Sequence, residues 1–186
     1  MKKAAVILVN GFEEIEALTV VDVLRRAQIP CTVLGFDKQV VGSHGISVIA
    51  DEVLDANVFD HDMIILPGGM PGSTNLKSSE TVISILRKMQ SEDKYIAAIC
   101  AAPIVLSKAG ILEDKEVTSY PGFDKEINCK TYNNEKAVIV DKNVITAQGP
   151  AVAILFGYEI VNYLLQDDTA QNISDDMLVP VLKNNL

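Results

Sequence analysis

Long hydrophobic runs are missing from this chain. The longest nearly apolar stretch, Tyr95 to Leu106, covers twelve residues and contains Pro103, well short of the roughly 20 needed to cross a bilayer. No membrane contact is expected. Positive charge is also scarce, with 16 lysines and arginines against 25 acidic residues and a net charge of −9. Counterion release requires clustered basic groups, so no nucleic-acid binding patch is expected. Cysteine occurs at positions 31, 100 and 129, an odd number without CxxC spacing. No disulfide framework or metal site is expected, and the pattern fits a reducing, cytoplasmic setting. Histidine is limited to His44 and His61, which leaves little for a Cys-His pair. The basic and then apolar amino terminus, Met1-Lys2-Lys3 followed by Ala4 to Val9, stops at Asn10-Gly11 with carboxylates beyond; it reads as a buried first strand rather than a signal peptide.

What is present is core-forming material. At 186 residues and 48% hydrophobic content, with a mean hydropathy of +0.22, the chain has the size and apolar surface of a single α/β domain over 1–186. Apolar β-branched runs at Ala4–Val9, Cys31–Leu34, Met63–Leu66 and Tyr95–Ile99 alternate with helical patterns at Glu13–Ala27, Glu80–Gln90, Pro103–Ala109 and Ala151–Leu165. Such alternation is the signature of βαβ units around a mostly parallel sheet. Val40–Val41 with Ile46–Ala50 reads as a small antiparallel excursion, and Ala137–Val140 with Val144–Thr146 as a hairpin. No linker, repeat or low-complexity segment interrupts the pattern.

In an open α/β sheet, ligands bind beyond the carboxyl ends of the strands. Three turns there hold candidate chemistry. Cys100 ends an apolar strand and directly precedes a helix, where backbone N–H groups favour a thiolate and lower the thiol pKa. A buried core thiol is the alternative. Glu16 shares a helical face with Val20, Val23 and Ala27, so it is desolvated, and a carboxyl kept protonated there can donate to a thiolate or serve as general acid and base. The competing reading leaves it in water, merely favouring the helix amino terminus, which is also the reading for Glu13 and Glu14. Gly68-Gly69-Met70-Pro71-Gly72 permits close backbone approach, so its N–H groups suit an oxyanion; it is equally a plain loop, and it is neither a P-loop nor a dinucleotide fingerprint. His44 sits in a turn from which it could reach this rim, whereas His61 belongs to the opposite end of the sheet.

The blocks Gly11-Phe12-Glu13-Glu14-Ile15-Glu16-Ala17, Val21 to Ala27, Leu66-Pro67-Gly68-Gly69, Ala97 to Pro103 and Gly149-Pro150 together resemble the ThiJ/PfpI superfamily, and within it the parkinsonism-associated deglycase branch and its bacterial relatives. The resemblance implies a flavodoxin-like three-layer sandwich, a homodimer, and a reactive cysteine on a nucleophile elbow. Position by position it implies Cys100 as nucleophile, Glu16 as the protonated glutamate at its sulfur, and Gly69 and Ala101 as backbone oxyanion donors, with Gly68 beside them. Tyr120 stands where the deglycase branch commonly has histidine. Ala101 follows Cys100 where the protease branch has histidine, which argues against peptidase activity.

The activity so implied is glyoxalase- or deglycase-like. A small aldehyde such as methylglyoxal, or an early adduct of such aldehydes with thiols or amines, becomes a 2-hydroxy acid without metal or organic cofactor. The rival readings are a non-enzymatic oxidative-stress sensor or chaperone-like protein working through Cys100 oxidation, and a thiamine-biosynthesis role for which no residue speaks. Tyr120 and His44 are the accessory candidates.

Overall fold

The computed structural model describes residues 1–183 and Asn185. The first half runs β1 (Ala4–Leu8), α1 (Glu14–Arg26), β2 (Cys31–Gly35), β3 (Gln39–Val41), β4 (Ser47–Ile49), β5 (Glu52–Val53), β6 (Met63–Leu66), α2 (Gly72–Ser78) and α3 (Glu80–Ser91). The second half runs β7 (Tyr95–Ile99), α4 (Pro103–Ala109), β8 (Glu116–Val117), β9 (Thr131–Tyr132), β10 (Val138–Asp141), β11 (Val144–Ala147), α5 (Ala153–Leu165), α6 (Thr169–Asp176) and α7 (Val179–Lys183).

Seven strands form the central sheet in the order β10-β11-β7-β6-β1-β2-β5. All neighbours are parallel except the β10–β11 hairpin. The sheet is sandwiched because its strands are apolar on both faces. Ala4, Val6 and Leu8 of β1 join one core with α1 and α5, while Ala5 and Ile7 join the other with α3 and α4. The same split divides Met63 and Ile65 from Ile64 and Leu66 on β6, and Ala97 and Ile99 from Ile96 and Ala98 on β7. This is the flavodoxin-like arrangement of a mostly parallel sheet between helical layers.

The chain leaves β1 toward β2 on one side and leaves β6 toward β7 on the other, so the topology switches direction between β1 and β6. Open α/β sheets form their ligand crevice at such a point. Here the carboxyl ends of β1, β6 and β7 bring Glu16, Gly68 and Cys100 to one rim.

Most of the expected elements are present, with ends moved by a residue or two. The 3₁₀ turn Pro150–Val152 precedes α5, which therefore begins at Ala153. The excursion β3–β4 is a separate antiparallel pair. Helices α2, α6 and α7 and the two-residue strands β5, β8 and β9 are additions to the sequence reading. In the carboxyl-terminal segment Val179 is buried, while Leu178, Val181 and Leu182 are exposed. Among the described residues no helix is long and apolar enough to cross a membrane.

Candidate active site

Cys100 sits on a sharp turn. Its φ is +63°, in the left-handed region that side chains rarely adopt and that marks a stored local strain. Two flanking hydrogen bonds hold it there: Cys100 N–H donates to Ala147 C=O at 2.9 Å, and Cys100 C=O accepts from Tyr120 N–H at 2.9 Å. The strain therefore rests on β11 and on the loop after β8. The turn aims the side chain into a cleft of about 380 Å³, which Glu13, His44, Gly69, Ala101 and Tyr120 also line. The residue itself is only 9% exposed.

Glu16 approaches from the first turn of α1. Its stripe partners Val20 and Val23 are buried as the helical spacing requires, and Glu16 is 0% exposed. Oε2 accepts from Gly68 N–H at 2.8 Å. Oε1 has no hydrogen-bond partner among the described residues, and the Cys100 thiol is the group that couples to the carboxyl. Gly68 must lack a side chain here: a Cβ would lie 2.7 Å from both Cys100 Cβ and Glu16 Oε2. Gly69, at φ +91°, could not carry one either, with Glu13 N only 2.4 Å from the added atom.

Two acidic groups thus share one buried contact. Burial raises the Glu16 carboxyl from 4.5 to about 7, opposed by the Cys100 contact and the Gly68 N–H, with the Glu13 charge pushing further upward. Burial also pushes the Cys100 thiol up to about 12, with the Glu16 charge and hydrogen bond adding to the rise; N–H groups of Ala101 and Gly69 pull the other way. Position before a helix therefore acts against desolvation here rather than alone. Helix α4 spans seven residues, Pro103–Ala109, and desolvation outweighs what a short helix contributes. Two of the upward effects act only while Glu16 is ionised.

The N–H groups of Gly69 and Ala101 act on the sulfur by lowering its pKa. Gly68 does not join them, because its N–H is committed to Glu16; its contribution is steric. Tyr120 and His44 both reach the cleft, and the Tyr120 ring also lies against Gly149, where a Cβ would be 3.2 Å away. His61 is elsewhere, buried with Nε2 3.1 Å from Thr32 Oγ1. Cys31 is buried and burial pushes its thiol up to about 12, as suits an inert core thiol.

Glu13 and Glu14 depart from the solvated helix-start reading, since both are buried. Glu13 caps α1, its Oε2 accepting from Glu16 N–H at 2.7 Å, and so fixes the residue that touches the sulfur. Glu14 anchors the loop between β3 and β4: Oε1 accepts from His44 N–H at 2.8 Å, and Oε2 lies 2.9 Å from His44 Nδ1. Burial opposes ionisation of Glu14, but the His44 side chain and backbone N–H groups overcome it and hold the carboxyl at about 2. Hydrogen bonding to Glu14 raises His44 in turn. Glu13, Glu14 and His44 place three possible metal-ligand atoms within 4.8 Å of one another, but a cation there would have to displace the Nδ1–Glu14 hydrogen bond.

A cleft at the switch point of a parallel sheet, opening on a cysteine elbow backed by a buried glutamate, defines a cysteine-centred α/β protein. The chain belongs to the DJ-1/PfpI family, which residues 2–163 match. It is 38% identical over 182 residues to protein dj-1beta of Drosophila melanogaster, covering 96% of this chain and 97% of that protein. The solved structure of Drosophila DJ-1beta superposes with a TM-score of 0.91, covering 96% and 98% of the two chains. A deglycase of Pyrococcus horikoshii, PH1704, is 33% identical over 87% of this chain and 99% of its own length. The oxidized DJ-1 of Toxoplasma gondii superposes with a TM-score of 0.90 at 32% identity, covering 96% and 98%.

The Glu14 network gives a pH signature. A carboxyl lowered in the fold stabilises above its unfolded pKa and loses that contribution as pH falls through its folded value. Replacing Glu14 by Gln should lower the melting temperature by several degrees at pH 6. The gap between the two proteins should close as pH falls from 4.5 toward 2. Thermal melts at a series of pH values check this; a gap that stays constant through that window contradicts the assignment.

Proposed function

We propose that the protein is a cofactor-independent enzyme of glyoxalase or deglycase type, converting methylglyoxal-like aldehydes or their early adducts to 2-hydroxy acids. The observation that carries this reading is the fully buried Glu16 carboxyl coupled to the Cys100 sulfur, with the Gly69 and Ala101 N–H groups acting on the same sulfur. A relative named as a deglycase supports it.

The resting proton sits on Glu16 and the charge on sulfur. Sulfur has two N–H donors and faces the cleft, whereas Glu16 has one donor and no exposure. With Glu16 neutral, its charge no longer opposes thiolate formation, and its O–H donates to the sulfur instead. The thiolate adds to the aldehyde carbon, forming a C–S bond. The carbonyl oxygen becomes an oxyanion held by the Gly69 and Ala101 N–H groups, and protonation completes a hemithioacetal. Glu16, now a carboxylate, takes the hydrogen from that carbon and returns it to the neighbouring carbonyl carbon through an enediol. The result is a 2-hydroxy thioester, which water cleaves to the 2-hydroxy acid and free thiol. Methylglyoxal plus water gives lactate, with no oxidant or reductant.

A homodimer in a reducing compartment such as the cytoplasm completes the proposal. Exposed Ile15 and Leu18 on α1, with Ile46 and Ile49 of the β3–β4 excursion, support the dimer; three unpaired cysteines support the compartment.

A second reading, oxidative sensing, is favoured by the same N–H pair, since it can hold the oxygens of a Cys100 sulfinate. The oxidized form in which the Toxoplasma relative was solved adds to it. Mild peroxide should then add two oxygens at Cys100 by peptide mass; oxygens spread over all three cysteines contradict it.

For the enzymatic reading, purified protein incubated with methylglyoxal should release lactate. Cys100→Ser should abolish release, and Glu16→Gln should slow it by roughly 10²-fold or more. Equal lactate from the Cys100→Ser protein would overturn the proposal.

A further inference from the structure

The cleft around Cys100 is electrostatically one-sided. Glu13 and His44 line it, and no lysine or arginine among the described residues does. The Glu13 side chain is only 9% exposed, so protein more than water surrounds its charge. Its Oε2 is fixed by the Glu16 N–H. Its Oε1 receives no hydrogen bond among the described residues and lies 3.9 Å from His44 Nδ1, which is itself engaged by Glu14 at 2.9 Å. Two carboxylates therefore face a single imidazole, and the mouth keeps at least one uncompensated negative charge whichever form His44 takes.

We propose that Glu13 sets the substrate class of this cleft, admitting uncharged carbonyl compounds and turning away aldehydes that carry a carboxylate or phosphate. This rests on Cys100 being the reacting group, as argued above. An anion brought up to the sulfur enters a cleft that the Glu13 carboxylate also lines, with no fixed cation to offset it; in a partly desolvated cleft that repulsion changes a rate by about tenfold or more. An uncharged hydrated aldehyde or carbinolamine has the opposite relation to Glu13, because its O–H or N–H can donate to the unpartnered Oε1. Glu13 is thus a specificity-determining residue, with its second oxygen also positioning α1.

Alkylation separates this proposal from the reading beneath it. Iodoacetamide and iodoacetate are nearly equal in size and lose the same iodide as the S–C bond forms, but only the second is an anion. Their rates at Cys100 are followed by peptide mass and compared with the same pair of rates for a small free thiol. The protein should favour iodoacetamide by about tenfold more than the free thiol does. Raising the salt concentration should narrow that preference. Glu13→Gln, which keeps an oxygen for the Glu16 N–H, should remove most of it, and the ratio cancels any effect on the sulfur itself. A wild-type ratio equal to that of the free thiol, or one unchanged in Glu13→Gln, overturns the charge filter and leaves a reactive Cys100 standing. Failure of both reagents to modify Cys100 takes down the filter and the underlying reading together.

Discussion

A carboxyl and a thiol are coupled inside this protein, and the surroundings of that pair explain most of the site. Neither group has enough polar company to carry a charge beside a charged neighbour, so the pair holds one negative charge between them at most near neutrality. Glu16 is fully buried with a single N–H on Oε2, whereas Cys100 borders the cleft with two N–H donors. The difference in donors and exposure is what favours sulfur as the seat of that charge in the proposed mechanism. A helix dipole contributes little, because the helix after Cys100 is two turns long and begins with a proline.

The fold serves that contact through close approach. Strand ends of β1, β6 and β7 converge at the switch point, and the gap between Glu16 and Cys100 is so narrow that residue 68 has no room for a Cβ. Gly68 supplies its N–H to the carboxyl, and the adjacent Gly69 turns its own toward the sulfur. The left-handed backbone of Cys100 is held by β11 on one side and by Tyr120 on the other. The accessory position is therefore tied to the elbow through its backbone, whatever its side chain does. Glu13 then caps the helix that delivers Glu16, and Glu14 pins the loop that brings His44 to the mouth.

Much of this was legible in the residues. Continuous apolar runs identified the central strands, and spacing set Glu16 on the buried stripe of α1. The strand-to-helix turn at Cys100 was marked by Pro103 and by Gly110 beyond. What stayed hidden depends on partners distant in sequence. Strands β5, β8 and β9 are two residues long and exist only through their pairing, and α2 begins inside a Gly-Pro turn with a polar sequence that reads as loop. The burial of Glu14 could not be read from its helix, because the N–H groups that compensate it arrive from residues 44 and 46. Gly68 and Gly69 look alike in sequence, and only the backbone path decides which serves the carboxyl and which the sulfur. The effect of burial on the thiol was likewise invisible from position alone.

Ultraviolet titration of the thiolate measures directly where the shared proton rests. The difference spectrum between the protein and its Cys100→Ser variant isolates one sulfur. A midpoint below the ordinary thiol value of about 8.5 is the predicted result, since a neutral Glu16 removes its own opposition and donates to the anion. A midpoint near 12, the value set by burial beside an ionised Glu16, would contradict it.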